Sequence, residues 1–400
     1  MLDPTTVSRI FCSISALMEQ NRGYLVELDQ VNGDGDLGIS MDDGFKAAAA
    51  YFAQAQETDL GQLLRQGGKV LNEAAPSSLG TILTFGLMGM ARRLRGNREA
   101  DFVTAVEALN AGVQNMMDKA ESKPGEKTIL DALVPGVETL RSEAEEAAGD
   151  AEAERVVSEA LALGYRHVDT AQMYGNEAGV GRALAAGGLS REEFFVTSKL
   201  DNPNHRRPDA LSSFERSLEA LGLEVLDLFL VHWPLAASPG LSLVETWETM
   251  IAILAGGRVR AIGVSNYQAG HLRTVIGATG VMPSVNQIEI HPYLTQTALR
   301  SLHRELGVVT ESWSPLGRGR VLADPGVGRV AAELGVTPAQ VVIRWHLQHG
   351  LVVFPKSTDV ERLRVNAEVF SFALTPGHMR VLDGLDRGLR TGSHPDRVQV

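Results

Sequence analysis

The sequence predicts two unlike parts, an all-α unit followed by a barrel of parallel strands that alternate with helices. Residues 1 to about 145 contain no strand-like run and are instead rich in Ala, Leu and Met stretches typical of helices. Beyond residue 160, seven short apolar runs are separated by amphipathic stretches, which is the β-α-β-α pattern. A closed (β/α)8 (TIM-type) barrel has eight strands, so we expect such a barrel with its first strand missing.

The composition limits the classes of function. A chain of 400 residues has room for two domains, and a net charge of −12 without a basic patch argues against a nucleic-acid partner. The single cysteine, Cys12, excludes an internal disulfide framework and favours a reducing, cytoplasmic compartment. No apolar run reaches transmembrane length, and the first eighteen residues lack the basic n-region of a signal peptide, so we expect no membrane partner.

The N-terminal part is predicted to be helical over Leu60–Leu71, Thr81–Leu94 and Phe102–Lys119. The acidic stretch 143–154 is either a solvated helix face or a linker, and we favour the helix face. An amphipathic helix, Arg155–Leu163, then leads into the first strand. These features place the domain boundary near residue 148 and give domains of 1–147 and 148–400.

The seven apolar runs are short enough to be buried strands, and most of them end on a polar residue. They are Tyr165–Asp169, Phe194–Lys199, Leu226–His232, Val259–Asn266, Ser284–Glu289, Val308–Ser314 and Leu351–Lys356. In a parallel barrel the carboxyl ends of all strands lie on one face, where their side chains form the active site. The polar strand ends are therefore the candidate functional residues.

Three aspartates lie close together in the loop LDQVNGDGDLGISM, at Asp29, Asp34 and Asp36. Their charges repel each other unless a cation binds, and hard divalent cations prefer oxygen ligands. The calcium-loop template fails because Gly and Glu are absent at its sixth and twelfth positions. Two magnesium ions that carry the phosphates of a nucleotide suit the loop better. A plain Asp/Gly turn without an ion remains the alternative.

Two further segments accompany this loop. Ser77 and Ser78 open a helix in APSSLGT, where hydroxyl and N–H groups can hold a phosphate, and GEKTILDALVP follows downstream. Together the three segments resemble the nucleotide-binding L subunit of dihydroxyacetone kinase, over residues 1 to about 141. The resemblance implies a helical barrel that binds ADP or ATP through Mg²⁺ held by the three aspartates, and a separate K subunit as partner. The sequence leaves the pattern before its last helices, so this domain is truncated.

Asp169, Tyr174, Lys199 and His232 form a chemically coherent set near three successive strand ends. A tyrosine can act as a general acid near neutral pH if an ammonium group stabilises its phenolate, and a carboxylate holds that ammonium in place. An imidazole can orient a carbonyl oxygen. Each residue alone is more often a solvated or structural side chain, but the four together favour carbonyl reduction.

Hydride transfer requires a cofactor, and no GxGxxG motif follows a strand. The segment PKSTDVERLRVN offers an anion site instead, in which Lys356, Ser357 and Arg362 lie beside a helix N-terminus. Thr358 and Glu361 fit a capping box for that helix, and an ordinary cap with a surface arginine is the alternative. Trp313 offers an aromatic face for a nicotinamide ring, unless it is a core residue.

These motifs resemble the aldo-keto reductase family over residues 152 to 400. The segments that carry the resemblance are LGYRHVDTAQMYGNE, TSKL, VHWP, GRVRAIGVSN, VNQIEIHPY, SWSPLGRG and PKSTDVERLRVN. It implies that Tyr174 is the proton donor, that Lys199 and Asp169 support it, and that His232 orients the carbonyl. The residues that it implies for binding the cofactor, NADPH rather than NADH, are Ser265, Asn266, Gln287, Trp313, Ser314, Leu316, Lys356, Ser357, Arg362 and Asn366.

Three hypotheses follow. The first is an NADPH-dependent reductase of a small aldehyde or ketone that carries a Mg²⁺–nucleotide domain. The second is an ADP-binding or phosphotransfer protein whose barrel is inactive. The third is a non-functional fusion of two incomplete domains.

Overall fold

A computed structural model of the chain describes residues 1–31 and 33–399, so Asn32 of the acidic loop lies outside the described residues. The chain divides into two compact units, Met1–Ala148 and Gly149–Val400. The expected fold class is confirmed: a helical N-terminal region precedes a curled parallel sheet of seven strands.

Within the described residues, six consecutive helices begin in the first unit, the last of which runs on into the second, and each of the first four packs against the next along the chain. Their bounds are α1 Pro4–Asp29, α2 Leu37–Gln54, α3 Leu60–Ala74, α4 Ser78–Arg93, α5 Phe102–Ala120 and α6 Leu130–Ala162. The helix predicted from Thr81 begins three residues earlier, at Ser78. Ser77 is its N-cap, because the Ser77 hydroxyl accepts a hydrogen bond from the Gly80 N–H. The acidic stretch 143–154 lies within α6, as the helix-face interpretation predicts.

An apolar core holds these helices together, with Phe11, Phe45, Phe52 and Leu64 among its buried members. Gly89 shows why small residues are needed between α4 and α5. A Cβ atom at Gly89 would lie 2.5 Å from the Ala111 carbonyl oxygen, so a larger residue would push the two helices apart.

The second unit contains a parallel sheet in the order β1 to β7. Its strands are β1 His167–Asp169, β2 Phe195–Leu200, β3 Leu226–Val231, β4 Val259–Ser265, β5 Val285–Glu289, β6 Val309–Trp313 and β7 Val352–Val353. All seven predicted strands are present, although the first and last are much shorter than predicted. Because every pair is parallel, the candidate residues at their carboxyl ends share one face.

Helices alternate with these strands and cover the outside of the sheet. They are α7 Glu177–Ala186, α8 Arg207–Leu221, α9 Leu243–Ala255, α10 Ala269–Thr279, α11 Thr297–Leu306, α12 Pro325–Leu334, α13 Pro338–Gln348, α14 Val360–Ala367 and α15 Pro376–Asp383. A large apolar cluster packs between helices and sheet, with Phe229, Trp247 and Trp345 fully buried. A glycine follows most of these helices as the C-cap. Gly222, for example, follows α8 with a φ of 63°, in the left-handed region that favours glycine.

The predicted cap of α14 is wrong. The Asp359 side chain, rather than Thr358, accepts a hydrogen bond from the Arg362 N–H and caps the helix at 3.0 Å. The segment PKST continues one residue further before the helix begins, and Asp is as effective an N-cap as Thr.

The edges of the sheet, β1 and β7, are not joined by strand pairing in the described residues. Side chains cross the opening instead. The Tyr165 hydroxyl donates to the Leu363 carbonyl oxygen at 2.9 Å, and the His167 and Phe354 rings meet edge to face at 4.9 Å. The barrel therefore lacks one strand, and a few side-chain contacts span the place where it would lie.

Candidate active site

A buried lysine is the centre of the site. Lys199, on β2, has no exposed side-chain surface, and its Nζ donates to Asp169 Oδ1 at 2.5 Å and to the Thr170 carbonyl oxygen at 2.9 Å. Burial lowers the pKa of Lys199, but the Asp169 carboxylate, Tyr174 and Glu311 together outweigh this effect, so the pKa lies above its ordinary value. The ammonium group therefore stays charged although it is buried.

Tyr174 lies above this lysine, in a short 3₁₀ turn over Gln172–Tyr174 that follows β1. Its ring centroid is 5.2 Å from Lys199 Nζ, and its side chain is half exposed. The Tyr174 ring also meets His232 edge to face, with ring centroids 5.7 Å apart. Asp169, Tyr174, Lys199 and His232 thus come together at the ends of β1, β2 and β3.

His232 is a neutral imidazole in this setting. Burial, assisted by the charge of Lys199, lowers the pKa of His232 to about 3. Its Nδ1 atom is buried and has no hydrogen-bond partner within the described part of the chain. A neutral imidazole can donate one hydrogen bond to an oxygen atom without carrying charge, which is what orientation of a carbonyl group needs.

Gln287, on β5, reaches across the barrel to Asp169. Its Nε2 atom lies 2.7 Å from Asp169 Oδ2 and 3.0 Å from Glu311 Oε2. Glu311 is buried on β6, and burial raises its pKa to about 7. This second acid beneath the tyrosine–lysine pair was not predicted from the sequence.

The side chains of Ser265 and Asn266, at the end of β4, are fixed by hydrogen bonds to neighbouring residues. The Asn266 amide donates to the His232 carbonyl oxygen and to Ser265 Oγ, at 3.0 and 3.1 Å, and the Ser265 hydroxyl donates to the Gln287 carbonyl oxygen at 2.8 Å. Asn266 Oδ1 accepts from the Trp313 indole N–H at 2.8 Å. Asn266 therefore fixes the orientation of the indole ring.

Two backbone positions here are strained. Asn266 and Ser314 follow β4 and β6 with φ of 65° and 47°, in the left-handed region that residues other than glycine rarely adopt. Such strain clusters at binding and catalytic sites, where the surroundings hold the backbone in place. Leu316, two residues beyond Ser314, is half-buried.

The C-terminal segment lies against Trp313 and is anchored by a buried carboxylate. Glu289 accepts hydrogen bonds from the Thr391 N–H and hydroxyl, both at 2.6 Å, and from the Gly392 N–H at 3.3 Å. Gly392 passes so close to the Trp313 ring that a Cβ atom there would lie 2.5 Å from it. Trp233, directly after His232, faces Trp313 with ring centroids 6.4 Å apart.

The predicted phosphate-binding residues lie after β7 and in α14. Lys356 and Arg362 are exposed, Ser357 is half-buried, and Asn366 is buried. No ion pair engages Lys356 or Arg362 in the described residues, whereas Arg364 is paired with both Glu361 and Glu368. The two free cations leave this segment able to bind an anion.

Comparisons with known proteins agree with this geometry. The family model "Aldo/keto reductase family" matches residues 132–387. The chain belongs to the aldo/keto reductase family. Among its relatives, an aldo-keto reductase of Mycobacterium sp. (strain KMS) is 47% identical over 243 residues, which cover 60% of this chain and 87% of the relative. The 2,5-diketo-D-gluconic acid reductase B of Corynebacterium sp. is 47% identical over 239 residues, 59% of this chain and 85% of the relative.

Solved aldo-keto reductases share the fold of this family member's barrel. Gox0644 in its apo form is 46% identical, with a TM-score of 0.60 over 63% of this chain and 91% of that one. A Gox0644 variant solved in complex with NADPH is also 46% identical, with a TM-score of 0.59 over 62% and 90% of the two chains.

The reductase barrel follows a second domain type. A model described as the DAK2 domain matches residues 31–191, which agrees with the predicted resemblance to the dihydroxyacetone kinase L subunit. Asp29, Asp34 and Asp36 each offer a carboxylate oxygen, and these atoms lie within 4.8 Å of one another. Ser77 and Ser78 lie at the N-terminus of α4, where the Ser77 hydroxyl serves as the cap.

The sequence did not indicate two residues of the reductase site, Glu311 and Trp233, whereas Glu289 was among the polar strand ends. Glu311 lies inside a strand that reads as buried and apolar, so only the strand register reveals that it faces the site. Trp233 could have been noted, because it directly follows His232 in VHWP and an aromatic residue beside a polar strand end is a typical pocket wall. In the described residues, no helix is both long enough and apolar enough to cross a membrane.

Proposed function

We propose that the barrel reduces an aldehyde or ketone with NADPH as hydride donor. One observation carries the proposal: a fully buried lysine, paired with Asp169, lies under the ring of a half-exposed tyrosine that also contacts a neutral histidine. This set fits proton donation to a carbonyl oxygen.

Each of the four residues has a distinct role in this reaction. Tyr174 donates its hydroxyl proton to the substrate oxygen, and the Lys199 ammonium stabilises the phenolate that remains. Asp169 keeps that ammonium charged and in position. His232 donates a hydrogen bond to the same carbonyl oxygen and orients it, which a neutral imidazole can do in a partly dry pocket.

The cofactor fits the residues present. NADPH would supply the hydride to the carbonyl carbon. Gln287 Oε1 would accept from the carboxamide, beside Ser265, Asn266 and Ser314, while Trp313 and Leu316 would line the ring. Lys356, Ser357, Arg362 and Asn366 would hold the adenosine 2′-phosphate, and the NADPH complex of a Gox0644 variant supports this choice of cofactor.

The substrate is proposed to be small. Trp233, which directly follows His232, and the anchored Gly392 both lie against Trp313, and bulky rings this near to His232 favour a compact carbonyl compound. The 47% identity to a 2,5-diketo-D-gluconic acid reductase supports a polar keto compound as the first to be tried.

The test replaces the proton donor. Tyr174→Phe is expected to lower turnover of a test aldehyde by several orders of magnitude while NADPH affinity stays almost unchanged, because only the hydroxyl is lost. Consumption of NADPH, followed by absorbance, and quenching of tryptophan fluorescence measure the two quantities. Tyr24→Phe, an exposed tyrosine of the helical unit, is the control. Wild-type turnover in Tyr174→Phe would disprove the assignment.

A second function is proposed for the helical unit, the binding of ADP or ATP with Mg²⁺. Three carboxylates within 4.8 Å of one another, with no basic side chain paired to them in the described residues, favour a divalent cation. Desolvation and the charge of Asp34 raise the pKa of Asp36, as mutual repulsion requires. Ser77 and Ser78 would lie near the phosphates, and a separate K subunit would be the partner for phosphotransfer.

Calorimetry tests this second proposal. Asp34→Asn is expected to weaken ADP binding in the presence of Mg²⁺ by tenfold or more, since it removes one charged ligand. The exposed Asp43→Asn, seven residues after Asp36, is the matched control. Equal ADP affinities in wild type and Asp34→Asn would contradict the proposal. A chain that binds neither NADPH nor ADP would instead support the hypothesis of a non-functional fusion.

A further inference from the structure

Glu311 shares the interior face of the sheet with the site residues. The strand register pairs Gln287 on β5 directly with Glu311 on β6, and the next pair on the same face is Glu289 with Trp313. Asp169 lies at the end of β1, on the far side of the barrel, and its Oδ2 is within 2.7 Å of Gln287 Nε2. Three strands thus place their side chains in one hydrogen-bonded chain across the interior.

The hydrogen bonds assign the two ends of the Gln287 amide. Its NH2 group has two protons and meets two acceptors, Asp169 Oδ2 and Glu311 Oε2. The Asp169 carboxylate is the ion-pair partner of Lys199 and accepts the hydrogen bond from Gln287. Within the described residues no hydrogen bond reaches Gln287 Oε1, which leaves this atom available as an acceptor.

Burial of the Glu311 carboxyl group costs desolvation energy, which indicates that this residue does more than fill the core. Its side chain is 2% exposed, and the charged groups that face it are Asp169 on β1 and Lys199 on β2. Burial raises its pKa to about 7, the Asp169 charge adds to this effect, and the Gln287 hydrogen bond and Lys199 oppose it. An apolar residue here would avoid the desolvation cost but would leave one Gln287 N–H without an acceptor.

We propose that Glu311 is a positioning residue of the reductase site, which holds the Gln287 amide with its NH2 group on the two carboxylates and its Oε1 free to accept from a bound carboxamide. The inference rests on the proposed function, because the carboxamide belongs to the proposed cofactor. Without the Glu311 acceptor, the Gln287 amide keeps only one of its two hydrogen bonds, the one to Asp169. The amide can then rotate, and its Oε1 atom no longer points toward the carboxamide. Glu311 itself touches neither cofactor nor substrate.

Two replacements separate the hydrogen bond from the charge. Glu311→Leu removes the acceptor at similar volume and is expected to weaken NADPH binding about tenfold, the usual effect of losing one buried hydrogen bond. Glu311→Gln keeps an acceptor oxygen and should stay within about twofold of wild type. Ser312→Ala is the control, since the buried Ser312 hydroxyl donates to the Ile290 carbonyl oxygen and not to the site. Fluorescence titration with NADPH measures all four proteins.

A second readout needs no cofactor. In NMR spectra of protein labelled with ¹⁵N-glutamine, the Gln287 side-chain amide signals should move with pH near 7 in wild type, stay constant in Glu311→Gln, and change position in Glu311→Leu. Unchanged signals and unchanged NADPH affinity in Glu311→Leu would overturn the inference. If Glu311→Leu does not fold, wild type and Glu311→Gln are compared instead. The inference is overturned if the Gln287 amide signals of these two proteins respond to pH in the same way. Failure of wild type to bind NADPH would count against the proposed function, while the amide signals still decide whether Glu311 holds Gln287.

Discussion

Two arginines of α14 differ in whether acidic side chains pair with them, and this difference indicates which of them can bind a ligand. Arg364 is held between Glu361, at 2.5 Å, and Glu368, and these carboxylates raise its pKa further above its ordinary value. Arg362, two residues earlier, has no such partner in the described part of the chain. The free guanidinium is therefore the better candidate for binding a phosphate.

A prediction about cofactor choice follows at this position. Arg362→Ala is expected to weaken NADPH binding roughly tenfold or more and NADH binding hardly at all, because only NADPH carries the 2′-phosphate. Arg364→Ala is the matched control, because the charge of Arg364 is already balanced by Glu361 and Glu368. This replacement should leave both affinities unchanged. Parallel fluorescence titrations with the two cofactors measure the difference. Equal losses for NADPH and NADH would rule out a contact to the 2′-phosphate.

Single residues were predictable from the sequence where their neighbours along the chain reveal them. Asp169, Lys199 and His232 end apolar runs, so their place on one face follows from the parallel sheet. Glu311 lies inside such a run, and its meeting with Gln287 depends on the register of β5 and β6, which composition does not specify. The role of Glu289 as an anchor depends on a segment a hundred residues further along the chain.

At the scale of elements, all seven strands were predictable, but the lengths of the two edge strands were not. Runs such as Leu226–Val231 are buried on both faces, by helices on the outside and by side chains of neighbouring strands on the inside, so their apolar character marks them clearly. β1 and β7 border the open edge and pair on one side only, and they shorten to His167–Asp169 and Val352–Val353. The missing neighbour thus explains why β1 begins later and β7 ends earlier than their sequences suggest.

The contacts across this opening should carry measurable stability. Tyr165→Phe removes the hydrogen bond from its hydroxyl to the Leu363 carbonyl oxygen, and we expect a loss of about 1 kcal/mol in the free energy of unfolding. Tyr267→Phe is the opposite control, since that buried hydroxyl has no partner among the described residues and its removal should be neutral or stabilising. Urea unfolding curves measure both. A Tyr165→Phe protein as stable as wild type would mean that the hydroxyl bond does not stabilise the opening.

At the scale of the whole molecule, the division into a helical part and a barrel is visible in the sequence because the two parts have different periodicities. Helical stretches without strands fill the first part, and short buried runs alternate with helices in the second. The sequence also places every tryptophan, at positions 233, 247, 313 and 345, beyond the division. Tryptophan fluorescence therefore reports on the barrel unit alone.

The barrel unit should lose stability as the pH falls from about 6.5 toward 4. Burial lowers the pKa of His205 and His303 to about 4 and that of His232 to about 3, whereas the unfolded chain protonates these residues near 6.5. The unfolded state then binds more protons in this range, so acid favours it. Glu311 and Glu177, whose pKa values burial raises, act in the opposite direction, but four histidines outweigh them, since burial lowers the pKa of His346 to about 4 as well. His303 must remain neutral to accept from the Asn286 amide at 2.9 Å.

Urea midpoints followed by tryptophan fluorescence at pH 7.5, 6.0 and 5.0 should therefore decrease steadily. His205→Phe should reduce the slope, since one pKa unit corresponds to about 1.4 kcal/mol and the Nε2 atom of His205 has no partner to lose among the described residues. His394→Asn, at an exposed position, should leave the slope unchanged. Midpoints that stay constant or rise toward pH 5 would show that these imidazoles do not remain neutral in the folded barrel, and the neutral His232 on which carbonyl orientation depends would have to be abandoned with them.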